Sequence, residues 1–309
     1  MTYKISSISI LLLLCSITFV FSQDDLLAEL SNSEGSKKSE KVVATFKTSR
    51  IVNGHSIETV HRKSMDFRIT HHFGDVAGDA GGIHTMYGFD YASDIRIAFE
   101  FGLTDRLTLG VGRSKQSEML DGYLKYRLLQ QTTDDKMPIS ITLFTNGAIV
   151  SQKITGTAYD NFAHRTSYTY QALIARKFNS KLSLQLMPTL LHRNYLFNSK
   201  DENDLYSLGI GGRVKLTRSF ALLVDYFYNF SKFRRDNYQT YFNPLGVGVE
   251  IETGGHVFHI FFTNNGSILE NSFLANTTSS WRKGEYKFGF NISRTFGIGK
   301  KGSYTQRHK

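Results

Sequence analysis

Ten histidines are the side chains best suited to chemistry near neutral pH, and five fall early, at His55, His61, His71, His72 and His84. Neutral imidazoles ligate zinc, copper or haem iron, so a metal or haem centre is the first chemistry to weigh. Neighbouring strand residues point to opposite faces, so His71 and His72 cannot share an ion without a bulge. No HExxH or comparable ligand spacing accompanies them, and rim or loop histidines are the plainer reading. His164 with Ser167 is the nearest pair for hydrolysis, but a dyad needs hydrogen-bond geometry and an orienting third group that a strand sequence cannot display. The glycine runs GVGRSK (110–115) and GIGGRVK (209–215) lack the strand-turn-helix setting of a phosphate loop. Gly110, Gly112, Gly209 and Gly211 instead recur at every second position, as small residues facing the inside of a curved wall. The sequons at Asn229, Asn265 and Asn276 are explained by loop composition. No catalytic residue, metal or cofactor is assigned, and the chain is not read as an enzyme.

What positions these residues is a strand pattern. Ile95, Ile97, Phe99 and Phe101 alternate with Arg96, Ala98 and Glu100, and after the turn Leu103-Thr104-Asp105, Leu107, Leu109 and Val111 alternate with Thr108 and Gly110. The same alternation gives about twelve strands near 65–73, 93–102, 106–115, 121–130, 138–150, 165–178, 181–193, 204–217, 219–231, 244–253, 255–264 and 284–296. Most reach the roughly 9 to 11 residues that cross a bilayer as tilted strands. Connections after the first, fifth, seventh, ninth and eleventh strands are long, and several of the others are tight, as at LTD, Asn179-Ser180, Arg218 and Gly254. Long loops outside and short turns in the periplasm are the habit of outer-membrane barrels. The expected fold is all-β: an antiparallel up-and-down transmembrane β-barrel of about twelve strands.

The N-terminus supports that location. Lys4, an apolar run over 8–21 and the small Ser22 make the order of a signal peptide, expected to be cleaved after Ser22. The run is shorter than the roughly 20 apolar residues of a spanning helix. Cleavage would remove Cys15, the sole cysteine, and with it disulfides, thiolate metal sites and cysteine nucleophiles. Net charge is +10, and +9 without Lys4, the only charged residue in 1–22. No nucleic-acid motif accompanies that charge, so no nucleic-acid partner is expected. The mean hydropathy of −0.26 despite 13% aromatic residues suits a wall in which only alternate residues face lipid.

Residues 23–41 read as a polar linker with a short helical start, and 42–63 as an N-terminal β-hairpin turning at Asn53-Gly54, where both residue types tolerate positive φ. This hairpin is either periplasmic, or lumenal, or an added pair of wall strands, making fourteen. The barrel is expected over 64–297 and a basic tail over 298–309. The last strand, with Tyr286, Phe288, Phe290, Ile292 and Phe296 on one face, is similar to the C-terminal signal read by barrel-assembly machinery.

The segments ATFKTSRIVNGHSIETV, MDFRITHHFGD, GFDYASDIRIAFEFGLTDRLTLGVGRSK, DGYLKYRLLQQ and KFGFNISRTF resemble the membrane-bound β-barrel domain of unknown function 5777, over nearly the whole mature chain. The first and third are the most specific. The resemblance implies an outer-membrane barrel of Gram-negative bacteria and carries no activity, substrate or catalytic residue.

With apolar faces outward, the lumen receives Asp66, Arg68, Arg96, Glu100, Lys125, Arg127, Arg213, Lys215, Asp225, Glu250 and Lys287. An unpaired buried charge costs several kcal/mol, so these mixed signs either pair as structural salt bridges in a narrow interior or line a path for a charged solute. The leading functional expectation is a narrow channel or transporter component for small solutes. The alternatives are a non-conducting structural or docking barrel that binds another envelope protein, and an outer-membrane lipid hydrolase. Outer-membrane lipid is the expected surrounding.

Overall fold

The computed structural model describes residues 39–153, 159 and 161–299. The signal-peptide reading over 1–22, nearly all of the linker and most of the basic tail lie outside the described residues.

Alternation builds the wall. In β2 (Ala92–Gly102), Asp94, Arg96, Ala98 and Glu100 are buried while Ile97 and Phe99 are exposed. The same period repeats through β1 (Ser64–Asp75), β3 (Leu107–Ser114), β4 (Met119–Leu129), β5 (Ser140–Val150), β6 (Thr166–Lys177), β7 (Leu182–Arg193), β8 (Asp204–Lys215), β9 (Phe220–Phe230), β10 (Leu245–Thr253), β11 (His256–Thr263) and β12 (Lys287–Gly297). Each strand pairs antiparallel with its sequence neighbours, and β1 pairs β12 with Ile69 opposite Ile292, so the sheet closes as a twelve-stranded barrel. Closure leaves no strand edge unpaired.

Burial is inverted relative to a water-soluble protein. Leu124, Leu143, Leu186, Ile210, Leu222 and Val224 stand exposed on the outer face, whereas Arg68, Arg96, Lys125 and Glu100 are buried. Exposing a large aliphatic side chain to water forgoes roughly 1.5–3 kcal/mol. A continuous apolar belt of this kind is stable against lipid. Aromatic residues mark its borders, with Phe178 and Phe220 at one end and Tyr206, Tyr228 and Phe230 at the other.

The turns at 103–106, 178–181, 216–219 and 254–255 share one end of the barrel, and the connections 76–91, 194–203, 231–244 and 264–286, with 151–153 and 161–165, share the other. Among the described residues, two short α-helices lie at the long-loop end, α1 (Lys232–Asp236) and α2 (Glu270–Asn276).

The lumen is occupied by the chain itself. Residues 39–45 run along the short-turn end, where the Val42 amide donates to the Gln131 carbonyl at 2.8 Å and Lys41 bridges Thr132. Residues 46–57 pass inside, and the chain leaves at the same end, with the Val60 amide on Thr108 Oγ1 (2.8 Å) and the Lys63 amide on the Gly102 carbonyl (3.0 Å). From the opposite end the 264–286 loop folds inward and buries Glu270 to Ala275 of α2. The hairpin thus joins no wall, and its paired part is confined to 49–56, where the Ser56 amide meets the Ser49 carbonyl and Arg50 bridges His55.

The filling has two chemical sides. Phe144, Leu173, Met187, Leu191, Leu205 and Phe227, all from β5 to β9, pack with Ile51, Val52 and Ile57 of the hairpin and Phe273 and Leu274 of α2. Gly211 permits this approach, because a Cβ there would strike the Ile51 side chain. The remaining wall, β1 to β4 and β10 to β12, faces inward mainly with charged and polar groups, among them Asp66, Arg68, Glu100, Glu250 and Asn291.

Candidate functional site

The hairpin turn is the best-anchored part of the lumen. Asp225 on β9 accepts the backbone N–H groups of Val52 (3.0 Å), Asn53 (2.7 Å) and Gly54 (2.9 Å), and its second oxygen accepts Asn53 Nδ2 at 2.8 Å. Three successive amides converging on one carboxylate form an anion-binding nest. Neither Asn53 nor Gly54 adopts positive φ. The expectation that Asn-Gly freedom makes this turn is therefore corrected: the wall carboxylate imposes it. Asn53 Oδ1 also accepts from Thr263 Oγ1 (3.0 Å) and Asn265 Nδ2 (2.7 Å) at the end of β11.

Beside the turn, Arg50 joins the two inserted segments. Its guanidinium reaches both carboxylate oxygens of Glu270 at 3.4 Å and donates to the Asn53 carbonyl at 2.7 Å and the Ile268 carbonyl at 3.3 Å. Burial pushes the Glu270 carboxyl up, opposed by Arg50. Burial holds His55 well below the ordinary histidine value, and Arg50, Lys125, Arg96 and Arg68 push the same way. A neutral ring fits both its contacts, with Nδ1 donating to the Ser49 carbonyl at 3.2 Å and Nε2 accepting from Arg50 at 3.1 Å.

The eleven charges singled out from the sequence fall into distinct roles around this centre. Five reach the hairpin. Arg68 donates to Ser49 Oγ at 2.9 Å, and that hydroxyl donates to Glu100 at 2.7 Å. Lys125 Nζ donates to the Glu58 carbonyl at 2.6 Å, Arg127 meets the Glu58 carboxylate at 3.3 Å, and Asp225 grips the turn. Four others pair within the wall. Arg96 forms a two-point bridge to Asp121 (3.1 and 2.7 Å), Arg213 bonds Glu250 at 2.7 Å, and Asp66 takes Arg68 at 3.1 Å. Glu250 lies 3.4 Å from His259 as well. Lys287 joins Asp75 at 2.5 Å and Ser279 of the inserted loop at 2.8 Å. Lys215 sits half-buried by the short-turn rim, its amide on the Lys181 carbonyl.

Sequence reasoning missed Arg50, Glu270 and Asp121. Asp121 lies on the inward face of β4 in register with Gly112, so the alternation that found Lys125 four residues on could have found it. Arg50 and Glu270 lie outside the wall strands, where no period applies.

The early histidines are dispersed. His71 stacks on Phe290 at 5.4 Å on the outer face, His72 is buried inward against Phe261, His61 stands 3.7 Å from Asp105 at the short-turn end, and His84 is exposed. Among the described residues no three His, Cys, Asp or Glu side chains are grouped to hold a metal ion. His164 and Ser167 both line a cavity of about 90 Å³ at the long-loop end, where Ser167 Oγ accepts from Asn271 of α2 at 3.0 Å and His164 Nε2 lies 3.3 Å from Asn161 Nδ2.

Residues 46–296 match the family model described as membrane bound beta barrel domain (DUF5777). Comparison with curated proteins finds no significant match. Among solved structures, the NanC porin aligns with a TM-score of 0.46 at 8% identity, over 74% of this chain and 98% of its own. The KdgM porin aligns with a TM-score of 0.44 at 9% identity, over 75% and 99%. An outer membrane channel from Pseudomonas putida F1 aligns with a TM-score of 0.47 at 13% identity, over 79% and 100%.

Proposed function

The chain belongs to the DUF5777 family of membrane bound beta barrel domains, and from that premise we propose that it is an outer-membrane channel or transporter component for small solutes, held shut by its own hairpin and inserted loop. The observation that carries this reading is the way five wall charges are spent. Arg68, Glu100, Lys125, Arg127 and Asp225 bond groups of the hairpin. Withdrawing the hairpin exposes a charged lining of both signs to water, which is what a polar solute path requires. Spare hydrogen-bonding capacity on the same side supports a wettable lumen. Arg68 Nη1, Glu100 Oε2, His72 Nδ1 and Asn291 Oδ1 are buried without a hydrogen-bond partner among the described residues.

The proposal includes export by a signal peptide cleaved after Ser22 and insertion by barrel-assembly machinery. The apolar run over 8–21 and the aromatic residues closing β12 support it. Liposome swelling tests the channel directly. Proteoliposomes of the wild type should admit small charged solutes slowly, and those of Asp225→Ala should admit them at least several-fold faster.

A second reading rests on the apolar side of the filling. Ile51, Phe273 and Leu274 are each at most 1% exposed, and such packing suits a permanently filled barrel that docks another envelope component. Equal, negligible swelling by both proteins would favour it.

A further inference from the structure

The outer wall carries a pocket that the lumenal mechanism does not use. On β9 the outward residues Phe220, Leu222, Val224, Tyr226, Tyr228 and Phe230 form one continuous apolar stripe along the lipid face. At its long-loop end, the last residues of β9 and the 231–244 connection line a cavity of about 390 Å³, Tyr228 and Phe230 together with Lys232, Arg235 and Tyr238 among them. That volume lies within the roughly 300–1,000 Å³ range of small-molecule sites.

Its charge is one-sided. The lining contains Lys232, Arg234 and Arg235 and no carboxylate. Arg234 is committed elsewhere, bonding Asp201 at 2.8 Å and the Ala275 carbonyl at 2.9 Å while lying over the Tyr241 ring at 5.4 Å. Glu202 is likewise occupied, accepting from Ser231 Oγ and from the Lys232 and Phe233 amides, which fixes α1 in place. Lys232 and Arg235 are exposed, and neither side chain makes an ion pair or hydrogen bond among the described residues. Asp236, also exposed, follows them on α1 outside the lining.

Two exposed cations that line one cavity with Tyr228, Phe230 and Tyr238, at the border where an apolar stripe ends, match one chemistry. We propose that this pocket binds the phosphorylated headgroup of a membrane lipid, with its acyl chains along Leu222 and Val224 and its phosphate between Lys232 and Arg235. Tyr238, 68% exposed, supplies a hydroxyl and a ring face to the sugar or glycerol part. A freely diffusing anion would gain nothing from the apolar stripe, and a neutral lipid would gain nothing from the cations. The site lies outside the lumen and does not depend on whether the barrel conducts.

The test is native mass spectrometry of the full-length protein in detergent, offered lipid A, dephosphorylated lipid A and diacylglycerol, which carries no phosphate, separately. Charge-assisted bonds to two cations predict at least about tenfold greater retention of the phosphorylated lipid. Lys232→Ser with Arg235→Ser should reduce retention to the dephosphorylated level, and the single Arg235→Glu should do so with one change. Lys181→Ser with Arg218→Ser, exposed cations at the short-turn end, should leave it unchanged. Retention independent of phosphate, equal loss in the control pair, or full displacement of lipid by millimolar inorganic phosphate would overturn the proposal.

Discussion

Arg50 and Glu270 lie 220 residues apart in the chain and face each other inside the barrel, the guanidinium 3.4 Å from each carboxylate oxygen. Arg50 arrives from the short-turn end on the hairpin and Glu270 from the long-loop end on α2. Their contact couples the two segments that fill the lumen. Both side chains are at most 2% exposed, so neither charge has recourse to water if the other is lost.

Removing one partner should therefore be worse than removing both. Arg50→Ala or Glu270→Ala strands a buried ionisable group and should destabilise the closed lumen by about 3–5 kcal/mol. Arg50→Met combined with Glu270→Gln should recover most of that loss. Protease protection of residues 264–286 reads the difference, and additive losses in the double variant would show that the two groups do not interact.

Asp225 should control the hairpin turn through its three amide bonds. Each hydrogen bond to a charged acceptor contributes roughly 1.5–3 kcal/mol, so Asp225→Ala should speed amide exchange at Val52, Asn53 and Gly54 by about 100-fold or more. Hydrogen–deuterium exchange of the purified barrel measures this. Unchanged protection would mean that apolar packing alone holds the turn.

Crowding offers a way to expel the hairpin without removing a charge. A Cβ at Gly246 would stand 2.6 Å from Asn53 Nδ2 and 2.6 Å from Val52 Cγ1, so Gly246→Val should displace the turn at a cost of about 1–3 kcal/mol. Gly254→Ala has nothing within 4 Å and should be neutral within about 0.5 kcal/mol. Trypsin cleavage after Arg50 should accelerate only in the first variant.

Acid should loosen the exit of the hairpin from the barrel. Asp105, in the turn between β2 and β3, accepts the Arg62 amide at 3.0 Å. That bond, with help from His61 and Arg62, holds its carboxyl below the ordinary aspartate value of 3.8. A depressed value means that the contact stabilises the folded state above pH 3.8 and is lost as pH falls through the lowered value. Amide protection at Arg62 should drop over that interval after correction for intrinsic exchange, and Asp105→Asn should abolish the pH dependence. Protection that stays flat to pH 2 in the wild type would contradict the assignment.

The wall was legible because its code is local. Ile97 and Phe99 against Arg96 and Glu100 declare two faces within five residues, and the observed strands begin and end within a few residues of the sequence reading. Inward Arg96 and Lys125 were legible for the same reason. The filling was not. Arg50 and Glu270 meet only because two segments enter from opposite ends, and no periodicity encodes a partner 220 residues away. The Asn53-Gly54 signal marked the turn correctly, but its cause was a carboxylate on β9 rather than backbone freedom. The apolar side of the lumen was hidden too, because Met187 and Leu191 on β7 break the rule that inward residues are polar.

The central claim is that this barrel is a channel closed by its own chain. Single-channel recording in planar bilayers tests it most directly, comparing the wild type with Asp225→Ala and Gly246→Val. The account predicts a wild type that is closed for most of the record with brief openings, and variants that stay open longer at the same unit conductance. Correctly inserted protein that never conducts under any ionic condition, in the wild type and in both variants, would contradict it.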